Sequence, residues 1–386
     1  MTINRRRIIT WQPVLTDHQA YTYEALQLFS KTTIVAYVCQ IEDSTRRAQG
    51  WLDTNVQSIQ RLLIPRLGLL FCIKAIYSNR REVHLFASVF GDWRTIFCLL
   101  TAVLLKVEFY LISEPYSTIA DGYFDNDKKL SNRIKAVMRP ILYKMYGFFI
   151  RWSVNGVFAI SRLAVQQYET IGISSHKIFP FGYFVPRADN RSYIESTLET
   201  SSIRIVFVGS LIPRKGLSLL TGAVQLLTNE NLSISLDVYG PGSFDCADIS
   251  ENSIRYRGLI PFGEAEEFIK DYDVLVLPSL YDGWGVVVNE ALNAGVPVIC
   301  SDNVGAAELV RKFHCGLVFD AGESADLARK LRRFCSEGGL RESMRNNCSL
   351  ASDAIQPAKA AQYMHEIMQA TKESKSNIQS PWYEYK

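Results

Sequence analysis

The feature that most constrains this chain is a pattern repeated along residues 204–319. Short apolar runs alternate with stretches of helical periodicity, and several runs end in a glycine or a polar loop. Strands that are apolar on both faces and alternate with helices are typical of parallel, doubly wound sheets. Ligands bind such sheets at the carboxyl ends of the strands, where these glycines lie. The predicted strands are 204–209, 236–240, 273–278, 296–300 and 316–319.

The first half of the chain follows the same pattern less regularly. At 386 residues the chain is too long for one ordinary core and fits two domains of roughly 150–200 residues. We therefore predict an α/β fold with two Rossmann-like, doubly wound parallel-sheet domains that face each other across a cleft. The predicted strands of the first domain are 7–11, 33–38, 82–86, 107–112 and 156–160.

Changes in pattern and composition predict the domain boundaries. They are an N-terminal domain at 1–182, a linker at 183–201, a C-terminal domain at 202–355, a helix at 356–372 and a tail at 373–386. We expect the final helix to be able to cross back to the first domain. The tail is polar, so we expect it to fray.

Composition excludes several other classes of protein. A hydrophobic content of 48% with 21% charged residues excludes a disordered chain. The sequence contains no run of 18 apolar residues, so we predict no membrane-spanning helix. The eight cysteines are scattered without a CxxC pair. That spacing predicts reduced, mostly buried thiols in a cytoplasmic protein, rather than a disulfide framework or a zinc site.

Charge is distributed unevenly between the two halves. Residues 1–184 carry 22 lysines and arginines against 13 acidic residues, whereas residues 185–386 carry 20 against 26. The basic half is therefore expected to meet an anionic partner.

Three blocks in the second half carry more specific information. They are 207–216 (FVGSLIPRKG), 279–298 (SLYDGWGVVVNEALNAGVPV) and 301–308 (SDNVGAAE), the last followed by the strand at 316–319. In order and spacing they resemble the donor-binding blocks of the retaining, GT-B-fold glycosyltransferases of family four. The resemblance covers roughly residues 200–340, and the first half agrees by pattern alone.

The resemblance implies a site for a nucleotide-sugar donor. Glu290, one turn into a helix, would accept hydrogen bonds from ribose hydroxyls, and Asp282 would contact the donor sugar. Arg214 and Lys215 would neutralise charge on the leaving diphosphate. The alternative is a plain turn at Asp282 and a solvated loop at Arg214. The further donor-binding positions are Gly209, Ser210, Gly240, Ile260, Gly283, Trp284, Gly285, Val286 and Val287.

Two residues depart from the family's pattern. Asp282 stands where the family usually has Glu, and its shorter side chain should shift or weaken the contact with the sugar. Ser210 stands where the family usually has Arg. Arg214, which is adjacent to Lys215, can supply the positive charge that Ser210 lacks.

The acceptor side carries a weaker signal. His18 follows the first predicted strand, and Glu114 follows the strand at 107–112. Each is a candidate for contact with the acceptor or with donor phosphate, and the alternative for each is a capping or solvated residue.

Acidic triplets at 125–127 and 271–273 resemble metal-binding pairs. Because basic loop residues can take over a cation's role, we predict no metal site. The only small molecule we predict is the nucleotide-diphosphate sugar itself, as co-substrate, and we predict no nucleic-acid partner.

The stretch 128–152 mixes lysines and arginines with aliphatic and aromatic residues, and a second such stretch lies at 61–81. This composition favours an interfacial segment on an anionic membrane. The alternative is a pair of amphipathic helices packed on the sheet with basic outer faces.

Taken with the resemblance, these patterns predict a retaining, metal-independent hexosyltransferase. It would transfer a sugar from a nucleotide-diphosphate donor to a glycan or lipid-linked glycan in cell-surface polysaccharide or lipopolysaccharide synthesis. The expected location is cytoplasmic, peripheral on the inner face of the membrane. Two alternatives stay open: a sugar-nucleotide epimerase with this fold, and a catalytically weak glycan-binding protein that keeps it.

Overall fold

The computed structural model describes residues 6–41, 56–117, 129–188, 202–242, 253–261, 263–371 and 373–385. They divide into two units. The first unit lies within Met1–Tyr116, Met138–Val185 and Gln356–Tyr383, and the second within Ser117–Val137, Pro186–Ile355 and Glu384–Lys386.

A parallel seven-stranded sheet forms the centre of the first unit, in the order β3-β2-β1-β4-β5-β6-β7. Its strands are β1 (Ile8–Gln12), β2 (Ile34–Val38), β3 (Gln60–Leu63), β4 (Val83–Ala87), β5 (Phe109–Ser113), β6 (Gly156–Ile160) and β7 (Ile178–Phe181). The helices are α1 (Asp17–Ser30), α2 (Leu69–Ser78), α3 (Trp93–Leu104), α4 (Lys129–Ile150), α5 (Ser161–Thr170) and, near the end of the chain, α12 (Pro357–Gln369). The division between the units falls inside α4, after Val137.

The second unit is built on a parallel six-stranded sheet in the order β10-β9-β8-β11-β12-β13. Its strands are β8 (Ile203–Val208), β9 (Ile234–Tyr239), β10 (Ile254–Gly258), β11 (Val274–Leu277), β12 (Val298–Ser301) and β13 (Gly316–Phe319). The helices are α6 (Leu217–Asn229), α7 (Ala265–Ile269), α8 (Val286–Asn293), α9 (Ala307–Phe313), α10 (Ser324–Ser336) and α11 (Gly338–Ala354).

The prediction of two doubly wound parallel-sheet domains is confirmed. In each sheet the chain starts at a central strand, β1 or β8, and the strand order reverses there. A parallel sheet binds ligands at such a reversal. Central strands such as β11 are buried along their whole length, which is why their runs are continuously apolar.

Three strands were not predicted from the sequence. β3 and β10 are edge strands with exposed residues and show no continuous apolar run, whereas β7 is apolar and buried but contains Pro180, which is typical of a linker. An edge strand is solvated on one side and needs no such run.

The expectation of a frayed tail is wrong. Trp382 is only 1% exposed, and its ring packs against Phe181, Phe184 and Tyr363. Lys375 Nζ donates to the Tyr110 hydroxyl at 2.8 Å. Burial of a large aromatic ring outweighs the polar character of the flanking residues.

None of the helices in the described ranges combines the length and apolar character that crossing a bilayer requires. In the same ranges the seven cysteines are free thiols, and all but Cys335 are buried.

Candidate functional site

The loops that follow β8 and β11 meet at the centre of the second sheet. The two strands pair in parallel, so their carboxyl ends lie side by side. The Leu280 amide donates to the Arg214 carbonyl at 2.8 Å. Gly216 has a φ of +68°, and a β-carbon there would lie 2.0 Å from the Pro278 carbonyl oxygen. Only glycine allows this close approach of the two loops.

A second close approach joins the loops after β8 and β9. Gly240 has a φ of +142°, and a β-carbon there would lie 1.8 Å from the Gly209 carbonyl oxygen. The Gly209 amide donates to Tyr239, and the Leu211 amide donates to Pro241. The loop that contains half-buried Ser210 is thereby held at the strand ends.

An ion pair connects the loop after β8 to the loop after β11. Lys215 Nζ donates to Asp282 Oδ2 at 2.5 Å, and both side chains are largely shielded from solvent. Arg214 Nη1 donates to the Tyr281 carbonyl at 2.5 Å. The three charged groups therefore share one place, with two positive charges against one negative charge. An anionic group that enters here meets a net positive field.

The loop at 282–285 is also tied to the end of β12. The Asp282 amide donates to Asn303, and the Gly305 amide donates to the Asp282 carbonyl. Buried Trp284 accepts from the Ala306 amide through its carbonyl, and its Nε1 donates to Asn289 Oδ1 at 2.8 Å. These bonds fix the backbone that carries Asp282.

Helix α8 begins directly after this loop. Gly285, at a φ of +88°, precedes its first residue, and a β-carbon there would lie 3.0 Å from both Leu277 and Val304. The amides of the first turn, at Val286 and Val287, have no acceptor within the helix. Together with the positive end of the helix dipole, they suit a phosphate group.

Glu290 lies one turn into α8 and is partly buried. Loss of hydration raises the pKa of its carboxyl to about 7, and the nearby Glu266 carboxylate adds to the rise. Among the described residues no group donates a hydrogen bond to this carboxyl. Because Glu290 is only partly buried, its carboxyl oxygens can accept hydrogen bonds from a ligand.

The structure places the remaining predicted donor residues at the same sheet but with fewer contacts. Gly283 is buried in the loop before α8. Ile260 is half-buried in the loop that follows the edge strand β10. Asp273, of the acidic triplet 271–273, accepts hydrogen bonds from the backbone amide and side chain of Arg204. The triplet 125–127 lies outside the described residues.

The two acceptor candidates are close to each other in the first unit. The ring of His18 packs against the ring of Tyr183 with centroids 4.2 Å apart. The Tyr183 hydroxyl donates to Glu114 Oε1 at 2.6 Å. Thr16 Oγ1 lies 3.0 Å from His18 Nε2.

Tyr183 was missed in the sequence because it stands two residues after β7, in a segment predicted to be a linker. Tyr183 could have been predicted only if β7 had been recognised as a strand. The carboxyl end of β7 lies at the same edge of the sheet as the carboxyl ends of β1 and β5.

Comparison with known proteins decides the family of the second unit. The family model described as glycosyl transferases group 1 matches residues 190–349. These residues belong to that family. The resemblance described above is thereby confirmed for the glycosyltransferase domain.

Relatives of similar sequence come from bacteria and archaea. The chain is 24% identical over 232 residues to the putative teichuronic acid biosynthesis glycosyltransferase TuaC of Bacillus subtilis, covering 57% of this chain and 58% of that protein. It is 28% identical over 146 residues to the O-antigen chain mannosyltransferase B of Escherichia coli, covering 36% and 38%. The matches thus span less than two thirds of these relatives.

Solved structures extend the likeness to both units. The Anabaena protein HepE, in complex with UDP, has a TM-score of 0.67 at 13% identity and covers 95% of this chain and 100% of that one. WaaG, a glycosyltransferase involved in lipopolysaccharide biosynthesis, has a TM-score of 0.59 at 12% identity and covers 94% and 100%. At such identities the likeness shows the fold, which is that of the GT-B glycosyltransferases.

Proposed function

We propose that this chain transfers a hexose-type sugar from a nucleoside-diphosphate donor to a hydroxyl of a glycan or lipid-linked glycan, with retention of anomeric configuration. The observation that carries the proposal is the Lys215–Asp282 ion pair. It stands beside the free amides at the start of α8, where strand ends meet at the centre of the sheet.

Each part of a sugar nucleotide has a counterpart in this arrangement. The first-turn amides of α8 would bind the diphosphate, and Lys215 and Arg214 would stabilise the charge that develops as it leaves. The carboxyl of Glu290 would accept hydrogen bonds from both ribose hydroxyls. These hydroxyls would provide the hydrogen-bond donors that the carboxyl lacks among the described residues. Asp282 would orient the donor sugar while it remains paired with Lys215.

Retention follows in the proposal from attack on the face from which the diphosphate departs. The departing phosphate takes the proton of the acceptor hydroxyl, so the protein need not supply a nucleophile or a general base. Because two side chains and a helix end provide the positive charge, the proposal needs no metal ion. The UDP complex of HepE and the names of the relatives support a nucleotide-sugar donor.

The acceptor is proposed on the chemistry of the relatives and of the first unit. TuaC and the O-antigen mannosyltransferase are named for cell-surface polysaccharides. His18, Tyr183 and Glu114 offer hydroxyl-binding groups at the end of the first sheet. We place the reaction in the cytoplasm, where the buried thiols of the chain stay reduced.

The first experiment measures thermal unfolding of the full chain with UDP, GDP, ADP and dTDP in turn. A nucleotide at 100 times its dissociation constant should add about 2.7 kcal/mol to the free energy of unfolding. The Lys215→Ala variant should lose this stabilisation, whereas Lys270→Ala, at a partly exposed site of the same unit, should keep it.

The second experiment uses the sugar nucleotide of the base that binds, and measures nucleotide release with and without glycan and lipid-linked acceptors. Release that depends on an acceptor, with an unchanged anomeric configuration in the product, supports the proposal. Epimerisation of the donor without transfer would favour the epimerase alternative. Binding without turnover on any acceptor would favour a glycan-binding protein.

A further inference from the structure

Four helices of the first unit, α2, α3, α4 and α5, contribute side chains to one core cluster. Cys72 and Ile76 of α2, Cys98 and Leu99 of α3, and Ile150 of α4 belong to a single core cluster. α2 packs on α3, and Phe90, in the turn before α3, packs on Tyr143 and Tyr146 of α4. α1 and α12 pack on each other and form no part of this cluster.

The outer side of α4 is as apolar as its inner side. Tyr143, Tyr146 and Ile150 face the core. The opposite side carries an exposed apolar stripe at helical spacing, in which Met145 is 66% and Phe148 60% exposed. A surface helix of a water-soluble domain ordinarily carries polar residues there. The stripe consists of Met138, Ile141, Leu142, Met145, Phe148, Phe149 and, just beyond the helix, Trp152.

The neighbouring helices continue this surface. On α2, Leu70 is 81% exposed, and Leu69, Ile73 and Tyr77 are exposed beside it. On α3, Leu100 and Leu104 are exposed. An apolar surface that extends over three adjacent helices is larger than the scattered hydrophobic residues found on every protein, and it indicates a contact surface.

The charges within helices α2, α3 and α4 have a single sign. The sequences of α2, α3 and α4 contain no aspartate or glutamate. Lys74 on α2 and Lys144 on α4 are exposed. Arg151, at the end of α4, lies over the rings of Phe148 and Trp152 at 4.7 and 3.9 Å. We call the exposed surface of α2, α3 and α4 the acid-free face.

We propose that the acid-free face docks on a bilayer that contains anionic phospholipids. The aliphatic and aromatic side chains would enter the boundary between headgroups and acyl chains, while the lysines and arginines contact phosphate groups. A second copy of the chain fits less well, because a two-fold interface would set lysines against lysines with no carboxylate between them. The proposal concerns binding and does not depend on the activity proposed above.

The test is co-sedimentation of the full chain with vesicles of phosphatidylcholine alone, or of phosphatidylcholine and phosphatidylglycerol in equal parts. We expect binding to the mixed vesicles that decreases steeply with salt, because screening shortens the reach of the charges. Each lysine at an anionic surface is worth about fivefold in affinity, so Lys74→Gln with Lys144→Gln should weaken binding roughly thirtyfold. The matched control changes Lys31 and Lys359, which are exposed near the ends of α1 and α12.

The apolar contribution is tested with a stripe variant that combines Ile141→Gln and Met145→Gln. Its control is Leu28→Gln on α1. The stripe variant should lose binding even at low salt and keep the wild-type melting temperature, since its side chains are exposed already. Equal binding by the wild type and both lysine variants would overturn the proposal. So would a dimer in sedimentation velocity, without lipid, that the stripe variant abolishes, because the stripe would then be a protein interface.

Discussion

The two units share a topology but differ in how they handle charge. In the second unit, charges on the outer helices are paired, as in Arg332 with Glu230 and Arg333 with Glu337. In the first unit, Lys74 of α2 and Lys144 of α4 are exposed, and the sequences of α2, α3 and α4 contain no carboxylate, although Arg94 of α3 pairs with Asp92 just before that helix. Paired surface charges add little to stability but keep a surface neutral and solvated. A surface of one sign with exposed apolar side chains attracts an anionic partner instead.

The two units also differ in the hydrogen bonds of a buried or partly buried group whose pKa is shifted. His84 in the first sheet is fully buried, and burial lowers its pKa to about 4. Its Nδ1 accepts from Trp11 Nε1 at 2.9 Å, so its Nε2 donates to the Asn79 carbonyl at 2.9 Å. Glu290 in the second unit has its pKa raised to about 7, but no described group donates to it. The hydrogen bonds of the histidine are satisfied within the fold, whereas the carboxyl of Glu290 has no hydrogen-bond donor among the described residues.

The largest effect should come from Lys215→Ala. Loss of a preorganised positive charge at the leaving group should lower kcat by about 100-fold or more. Arg214→Ala should also lower kcat, because Ser210 brings no charge in its place. The comparison enzyme is Lys270→Ala, which should retain wild-type kcat. An active Arg214→Ala variant would show that Arg214 does not replace the arginine that the family usually has.

A smaller effect is expected from Glu290→Gln. Charge-assisted hydrogen bonds contribute roughly 1.5–3 kcal/mol, so donor affinity or turnover should decrease about ten- to a hundredfold. The wild-type rate should rise as pH increases through about 7, where the carboxyl ionises, and this rise should be absent in the variant. Unchanged donor kinetics in Glu290→Gln would remove Glu290 from the site.

The same variant should be more stable than the wild type at high pH. A carboxyl whose folded pKa lies above its unfolded pKa stabilises the fold while protonated, and this contribution is lost as pH rises from about 4.5 to about 7. Glu290→Gln should therefore increase the free energy of unfolding by about 1–3 kcal/mol at pH 8, measured in urea. No gain at pH 8 would mean that the folded protein already satisfies the carboxylate.

His84→Phe tests the other half of the comparison. It leaves the buried Trp11 Nε1 without its acceptor, which should lower the free energy of unfolding by about 1–3 kcal/mol at pH 7.5. The wild type should also lose stability as pH decreases from about 6.5 to about 4, because only the unfolded state then takes up the proton. His176→Gln, at an exposed position, provides the control for both measurements. Loss of transferase activity at full stability would give His84 a functional role instead.

The smallest effect is expected from removing metal ions. If side chains and the start of α8 provide all the positive charge at the diphosphate, then EDTA should leave the transfer rate unchanged. The assay is nucleotide release before and after dialysis against EDTA. Loss of activity that manganese or magnesium restores would assign that charge to a metal.

The sequence by itself determined the class of fold and the family of the second unit. Strands buried on both faces must be continuously apolar, so runs such as 274–277 identify a parallel sheet without any contact being known. Gly216, Gly240 and Gly285 adopt positive φ values that favour glycine, and the family model matches the residues 190–349 that contain them.

Only the tertiary structure decided which residues meet. Lys215 and Asp282 are 67 residues apart, and they pair because β8 and β11 are neighbours in the sheet. Tyr183 reaches Glu114 for the same kind of reason, and Trp382 is buried by a surface that its own segment does not contain. The apolar residues of α4 likewise lie on two sides of the helix, and packing alone decides which side faces the core. A local pattern reports that a segment can be buried, whereas its partners depend on strand order and packing.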